Sequence, residues 1–190
     1  AGGYQVERSL RFNSSDSAYC SRTPSTAGNR TTFTFSCWVK LSTFGSDQTI
    51  FAGWDGSAGN QFEIRLQSDS TFFLNTGGDP GNRTIDTTSA VFRDPSAWYH
   101  LVCAVDTTQA SASNHFKFYI NNSLQTLSLT ASGPQNLTTQ INGTFLHHVG
   151  VARALARYFN GYLADIHFID GQALTPSSFT EVSATTGQLI

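Results

Sequence analysis

The stretch TTFTFSCWVKL, residues 31–41, decides which fold this chain can adopt. Its apolar side chains recur at every second position. This period predicts a β-strand with one buried face, because successive side chains of a strand point to opposite sides. The apolar positions are Phe33, Phe35, Cys37, Val39 and Leu41, and between them stand Thr32, Thr34, Ser36, Trp38 and Lys40.

Strand patterns recur along the rest of the chain. Segment 62–66 alternates in the same way, and the middle of segment 98–106 (WYHLVCAVD) is apolar on both faces, which is typical of a central strand covered on each side. Further strands are predicted at 4–12, 49–53, 71–74, 116–120, 145–151 and 162–169. Many short strands with almost no helix predict an all-β fold, a sandwich or a barrel.

Turn-forming residues separate these segments, and helix signals are weak. A hairpin is predicted with its tip at Asn121-Asn122, since asparagine tolerates the positive φ of a tight turn. Segment 151–157 (VARALAR) has a helical composition but is too short to form a helix by itself. Thr175 and Pro176 predict a single helical turn with Thr175 as its N-cap. We expect one domain over residues 1–190, with its core at about 4–179 and a polar tail at 182–190 that can lead into a further segment.

The composition excludes several classes of partner. Only 13% of the 190 residues are charged, the formal net charge is −2, and Lys40 and Lys117 are the only lysines. DNA or an anionic membrane would require a concentrated basic surface, so nucleic acid is excluded as a partner. No apolar run reaches the ~18 residues of a membrane span. The start AGGY has neither an initiator methionine nor the layout of a signal peptide, which favours a processed piece of a longer protein over a chain numbered without its flanking residues.

The cysteine count of three is odd, so it cannot make a complete disulfide framework. Cys37 and Cys103 lie within apolar alternations, where a reduced thiol packs like a small core residue. We predict that these two and Cys20 are free thiols. One bridged pair with one thiol left over is the alternative.

Several phrases of the sequence, in their order, resemble a known family. They are RSLRFNSSDSAYCSR (8–22), FTFSCWVK (33–40), WDGSAGNQFEIRL (54–66), WYHLVCAVDTT (98–108), FYINN (118–122) and VGVARALARYFNGYLADIHFIDGQALTPSSF (149–179). The chain resembles a concanavalin A-like lectin domain of the laminin G-like type, in particular the form found in virion proteins of tailed bacteriophages, especially marine and cyanobacterial phages. The resemblance implies a jelly-roll β-sandwich in which the last strand, 162–169, lies beside the first, 6–12.

Catalytic patterns are missing from the sequence. Glucanases of this fold carry paired acids along one strand as E-x-D-x-x-E, and glycoside hydrolysis requires two such carboxylates. Here Glu63 is followed by Arg65 where the second acid would stand, and Asp165 and Asp170, five residues apart, lie on opposite strand faces or at a turn. We therefore expect solvent-facing charges, a turn-forming Asp170 and no enzymatic activity. No G-x-S-x-G elbow occurs either.

Metal binding has only weak support in the sequence. His147 and His148 are adjacent in a predicted strand, so one is expected to face the core and the other solvent, which disfavours a shared metal. The resemblance makes calcium a possible cofactor, but a calcium site needs six or more oxygen ligands. The loop acids available for it are Asp47, Asp55, Asp79 and Asp94. A turn-forming role is favoured for each of them, so no metal site is assigned.

Carbohydrate recognition has a better candidate, because a sugar ring packs on an exposed aromatic plane among amide and acid side chains. Trp54 lies in a glycine-rich turn and is the predicted platform. The other predicted carbohydrate-binding residues are Asp55, Asn60, Gln61, Asp79, Asn82 and Arg83. The alternative is that Trp54 folds back to cover the end of the sandwich.

These observations predict a non-enzymatic, lectin-like module on the surface of a phage particle. It would stand in a tail fibre, a spike or a capsid decoration and attach to host-surface glycan. The alternative is a structural cement or decoration module that binds other virion proteins and forms homo-oligomers, for which trimers are expected. A glycan depolymerase is the least favoured reading.

Overall fold

The computed structural model describes residues 8–57, 61–76, 85–131 and 133–190. The strands are β1 (Leu10–Phe12), β2 (Cys20–Arg22), β3 (Thr32–Leu41), β4 (Gln48–Trp54), β5 (Gln61–Leu66), β6 (Phe72–Asn75), β7 (Ile85–Thr88), β8 (Tyr99–Asp106), β9 (Phe116–Ile120), β10 (Ser123–Leu124), β11 (Leu127–Ala131), β12 (Leu146–Val149) and β13 (Gly161–Asp170). Single turns of 3₁₀ helix occur at Ser14–Asp16, Ala112–Asn114, Arg153–Leu155 and Pro176–Ser178. No helix in these ranges is long and apolar enough to cross a membrane.

The strands form two antiparallel sheets. One has six strands in the order β1-β13-β3-β8-β9-β10, and the other has seven in the order β11-β7-β6-β5-β4-β12-β2. The predicted all-β sandwich is thus confirmed. The predicted pairing of the first and last strands is also found, with Leu10 opposite Leu163 and Phe12 opposite Gly161. Residues 4–7 of the predicted first strand lie outside the described residues.

Phenylalanine rings join the two sheets. Phe35 of β3 stacks on Phe51 of β4 with 4.4 Å between ring centroids, and Phe33 meets Phe62 of β5 edge to face at 5.6 Å. Aromatic pairs at such distances add about 0.5–1.5 kcal/mol each to the burial of their area. Because these rings pack the two sheets against each other, the outer face of each sheet has a fixed position.

The prediction that β3 has a single buried face is wrong, because both of its faces are covered. Thr34 and Ser36 are fully buried although they point away from the core. The C-terminal segment, residues 171–180, lies across them: the Thr34 hydroxyl donates to the Gln172 carbonyl at 2.7 Å and accepts the Leu174 N–H at 2.8 Å. The outward-facing side chains of Thr34 and Ser36 are therefore polar but not exposed to solvent.

Local signals were mostly confirmed. Asn121 and Asn122 have φ of 48° and 64° at the tip of the β9–β10 hairpin, as their residue type predicts. Pro176 begins the last 3₁₀ turn after Thr175, whose hydroxyl lies 2.9 Å from Ser177 Oγ and caps no backbone N–H. The short strands β2, β7 and β11 were not predicted. β2 and β7 carry no apolar alternation, whereas the alternation of Leu127 and Leu129 in β11 was missed.

All three cysteines are free, as predicted, with Cys37 and Cys103 buried and Cys20 exposed. Burial raises the pKa of the Cys37 thiol well above its ordinary value, so this thiol is inert.

The predicted polar tail at 182–190 forms, together with Glu181, a small hairpin. Glu181 and Ile190 exchange two backbone hydrogen bonds of 2.8 Å, and Val182 pairs with Leu189.

Candidate functional site

The best candidate for a binding site lies on the outer face of the seven-stranded sheet, where β4, β5 and β12 meet. Ala52 and Trp54 of β4 stand opposite Glu63 and Gln61 of β5 on this face, while Phe62 between them points into the core. We call the side chains of Trp54, Gln61, Glu63, Arg153 and Arg157 the Trp54 face. The first three come from the sheet, and the two arginines come from the loop after β12.

Trp54 is only partly buried, between Gln61 of β5 and the exposed Leu146 of β12. Its indole N–H donates to the Ser57 carbonyl at 2.8 Å, which fixes the orientation of the ring. The guanidinium carbon of Arg153 lies over the ring, 6.0 Å from its centroid. Trp54 thus stands on the face of the sheet and does not fold back over the end of the sandwich.

The two arginines are held by a loop, residues 150–159, that is docked on β4. The Gly150 N–H donates to Ile50 O and the Thr49 N–H donates to Arg157 O, both at 2.9 Å. A β-bulge around Ile50 interrupts the pairing of β4 with β5 at this point. The sequence predicted only a helical composition for 151–157, so neither arginine was identified as a site residue.

Backbone strain is concentrated in this loop. Ala154, Leu155 and Arg157 have φ of 59°, 51° and 54°, a region that costs residues other than glycine about 1–2 kcal/mol each. The Ala152 N–H closes the turn by donating to Ala156 O at 2.9 Å. Strained residues of this kind are concentrated at functional sites, which supports a role for the loop in binding.

Glu63 is buried, so the prediction that it faces solvent is wrong. Its carboxylate accepts a 2.6 Å bond from the Thr49 hydroxyl, and Arg157 binds it through Nε at 3.1 Å and Nη2 at 3.2 Å. Gln61 Nε2 and Arg65 Nη1 contribute at 3.2 and 3.4 Å. The sequence could not show this, because Arg157 lies far along the chain from Glu63.

This arrangement makes Glu63 a structural carboxylate. A general acid or nucleophile needs an oxygen directed at the substrate, whereas both oxygens of Glu63 are held by donors of the protein. Arg65, where a second acid would stand, pairs with Asp47 at 3.4 Å and lies over the Phe73 ring.

The structure brings together only part of the predicted carbohydrate site. Trp54 and Gln61 are neighbours on the Trp54 face, and Asp55 follows in the turn, where its carboxylate accepts the Ser57 N–H at 2.8 Å. The other four predicted residues, Asn60, Asp79, Asn82 and Arg83, lie outside the described residues.

Metal ligands do not converge in the described ranges of the chain. No group of three or more histidine, cysteine, aspartate or glutamate side chains is placed there to hold an ion. The carboxylates of Asp55 and Asp94 each accept the backbone N–H two residues further on, as turn-forming residues do. Asp47 instead accepts the N–H of Ser68 from another segment and pairs with Arg65. Asp79 is outside the described residues. The side chains described therefore do not fit a calcium site.

The two adjacent histidines point to opposite faces of β12, as predicted, but neither is exposed. His147 faces inwards and accepts the Asn142 N–H at 2.9 Å, while His148 is covered by Tyr19 at 5.4 Å between ring centroids. Burial lowers the pKa of both histidines.

A separate cleft of about 580 Å³ lies between the sheets and is lined by residues of β2, β12, β13 and segment 24–28. Phe35, Phe51 and Phe168 are among its lining residues. Two of its polar groups bond each other, since Asn142 Nδ2 donates to the Asp170 carboxylate at 2.7 Å. The Trp54 face presents charged groups next to a partly exposed ring and is the better candidate for polar ligands.

Comparisons with known proteins agree with this architecture. A laminin G-type family model, described as the concanavalin A-like lectin/glucanases superfamily, matches residues 13–178. Curated protein sequences gave no significant match.

Solved structures with a similar fold include three from proteins of different kinds. The CBM40 module of the IT-sialidase from Ruminococcus gnavus has a TM-score of 0.61 at 12% identity, over 85% of this chain and 96% of that one. Domains LG4-5 of the mouse laminin α1 chain give 0.57 at 9%, over 84% and 40%. Domain 4 of AbnA, an extracellular arabinanase from Geobacillus stearothermophilus solved with arabinotriose, gives 0.54 at 23%, over 77% and 64%.

The fold thus resembles that of carbohydrate-binding modules. The family match spans most of the sequence, and the two-sheet topology agrees with it. The chain belongs to the concanavalin A-like lectin/glucanases superfamily, as a laminin G-like domain.

Proposed function

We propose that this domain is a non-enzymatic glycan-binding module and that it binds sugar on the Trp54 face. The observation that carries the proposal is the position of Trp54: a partly exposed indole, fixed by its N–H bond to Ser57, on the outer face of a rigid sheet with charged and amide groups beside it. A fixed aromatic plane loses little conformational entropy when a sugar packs on it. Modules of similar fold that were solved with oligosaccharides, such as the arabinanase domain, support the proposal.

We further propose that the module stands on the surface of a tailed-phage particle, in a tail fibre, spike or capsid decoration, and attaches to host-surface glycan. The support is the resemblance of the sequence to virion proteins of tailed bacteriophages, above all in residues 159–179 (FNGYLADIHFIDGQALTPSSF). Trimers are the oligomer that we expect there. Immunogold labelling of particles and the molar mass of the domain in solution test the two parts separately.

The test of binding is a glycan array of neutral and acidic bacterial surface polysaccharides, with and without calcium, followed by adsorption to cells. We expect the wild-type domain to bind, and Trp54→Ala to weaken binding about ten-fold or more, since 1.4 kcal/mol corresponds to a factor of ten. Tyr162→Ala is the matched control, because Tyr162 also carries an arginine over its ring, Arg11 at 5.1 Å, but on the six-stranded sheet. A folded domain that binds no glycan at any calcium level contradicts the proposal.

The structural alternative has an observation of its own. Leu146 and Leu155 are exposed by 39% and 49% and belong to the strand and the loop that meet at Trp54. Apolar side chains of this kind suit a protein contact. If the domain is a cement module, the Trp54 face will be buried against another virion protein in a reconstruction of the particle, whereas the glycan-binding proposal requires that it face solvent.

A further inference from the structure

We infer that the sugar bound on the Trp54 face is anionic, carrying a carboxylate or a sulfate that pairs with Arg153. This inference rests on the proposed function and adds the chemical class of the ligand. It depends on the charges around the face and on how Arg153 is held.

Each described carboxylate near Trp54 already faces an arginine. Glu63 is bound by Arg157 through two hydrogen bonds. Burial lowers the pKa of the Arg30 guanidinium, and the negative charge of Asp55 raises it. Glu63 thus has its own cation, and neither acid forms an ion pair with Arg153.

Arg153, in contrast to Arg157, has no acidic partner among the described residues. Among the described residues, no carboxylate oxygen lies within 4.0 Å of its guanidinium. Its recorded contact is the Trp54 ring, and its side chain is only half-buried. A positive charge thus stands beside the proposed platform for the sugar.

The contact with Trp54 leaves the donors of Arg153 available. At 6.0 Å from the ring centroid the guanidinium donates no hydrogen bond to the indole, and its five N–H groups remain as a planar fork of donors. This planar fork matches a carboxylate or a sulfate, which can accept two parallel bonds from it. A sugar on Trp54 can therefore place an acidic substituent against Arg153.

The loop supports this arrangement. Arg153 directly precedes the strained residues Ala154 and Leu155, in a turn that is closed by the Ala152–Ala156 hydrogen bond and docked on β4. Because the loop is fixed at both ends to the sheet that carries Trp54, the ring and the guanidinium keep a defined separation. A preorganised cation loses less entropy on binding than a free one.

The experiment measures binding of the full chain to acidic polymers and to neutral forms of the same polymers. Polygalacturonate and its carboxyl-reduced form test the carboxylate, and a sulfated galactan and its desulfated form test the sulfate. We expect Kd to be about ten-fold lower for at least one acidic polymer than for its neutral form, and to rise with salt because the pair is partly exposed.

Variants separate the inference from the proposed function. Arg153→Gln should remove the preference, so that the acidic and neutral forms bind this variant with the same Kd, and Arg153→Lys should keep part of the preference. Arg11→Gln is the matched control, since it removes the same charge from beside an aromatic ring on the other sheet and should change nothing. Thermal unfolding of each variant checks that it is folded.

Two outcomes overturn the inference in different ways. Equal binding of acidic and neutral forms that is lost in Trp54→Ala and unaffected in Arg153→Gln overturns it and leaves the proposed function intact. Binding of the folded wild type to none of the polymers and none of the array glycans overturns both.

Discussion

His100 lies on the outer face of β8, next to Ser36 of β3, in a space closed by Phe179 of the C-terminal segment. Its Nε2 is 3.0 Å from the Ser36 hydroxyl, and its Nδ1 has no hydrogen-bond partner among the described residues. Burial and, to a smaller extent, the neighbouring His167 lower the pKa of His100 to about 4, and Asp165 acts in the opposite direction. The folded protein therefore holds this side chain neutral at pH 7.

The stability of the protein should fall in mild acid for this reason. The unfolded chain takes up the proton of His100 near pH 6.5, whereas the folded chain takes it up near pH 4. Between these values the free energy of unfolding should decrease by about 1.4 kcal/mol per pH unit, and above pH 7 it should be constant with respect to this group. Burial also lowers the pKa of His147 and His148, so both act in the same direction.

Urea unfolding of the wild type and of His100→Gln at pH 7, 6 and 5 measures this effect. Glutamine can still bond to Ser36 but does not titrate, so between pH 7 and 5 the wild type should lose about 2 kcal/mol more stability than this variant. If the two proteins lose stability equally between pH 7 and 5, His100 is not the group responsible.

Two irregular elements combine to build the Trp54 face. The bulge at Ile50 breaks the β4 ladder, and loop 150–159 binds the backbone groups of Thr49 and Ile50 at that point. The loop turns through left-handed residues and returns Arg157 to Glu63 across the outer face of β5. The positions of both arginines on this face therefore depend on the bulge in β4 and on the irregular course of the loop after β12.

The strain in the loop can be tested with two alanines of the same turn. Ala154 has φ of 59°, and Ala156, two residues later and also exposed, has φ of −119°. Glycine adopts positive φ freely, so Ala154→Gly should raise the free energy of unfolding by up to about 1 kcal/mol. Ala156→Gly gains nothing in the folded state and should lower it by about 0.5–1 kcal/mol. Opposite shifts of the urea midpoint are expected, and a fall in both variants would contradict left-handed geometry at Ala154.

The elements that the sequence predicts are those whose signal is local. The alternation in β3 and in β5, and the asparagines at the hairpin tip, each depend on neighbouring residues only. The burial of Thr34 and of Glu63 depends on residues more than ninety positions away, Gln172 and Arg157. The sequence of a single strand does not contain the information that these distant residues will cover it. Trp54 was identified because an aromatic residue in a polar turn is unusual in itself, whereas Arg153 has no such local mark.

At the scale of the whole molecule, the two sheets are covered differently on their outer sides. The C-terminal segment 171–180 lies over the six-stranded sheet, where Trp38, His100 and Val102 are exposed by 7%, 2% and 0%. Its last residue, Thr180, bonds through its hydroxyl to Asn122 at 3.1 Å and to Pro176 O at 3.2 Å. The outer side of the seven-stranded sheet carries the Trp54 face. The chain itself thus covers part of the outer face of the six-stranded sheet, whereas the proposed binding face lies on the other sheet.

Because segment 171–180 covers the six-stranded sheet, we predict that the folding unit ends with this segment. The backbone bonds recorded for residues 181–190 join that hairpin to itself, and Val182 is 61% exposed. A chain ending at Thr180 should therefore unfold within about 1 kcal/mol of the full chain. A chain ending at Gly171 uncovers the side chains beneath the segment, and at about 25 cal/mol per Å² of apolar area it should lose roughly 3 kcal/mol or more. Urea unfolding of the three chains measures the difference. Similar losses in both truncated chains would mean that the hairpin, and not the C-terminal segment, seals the six-stranded sheet.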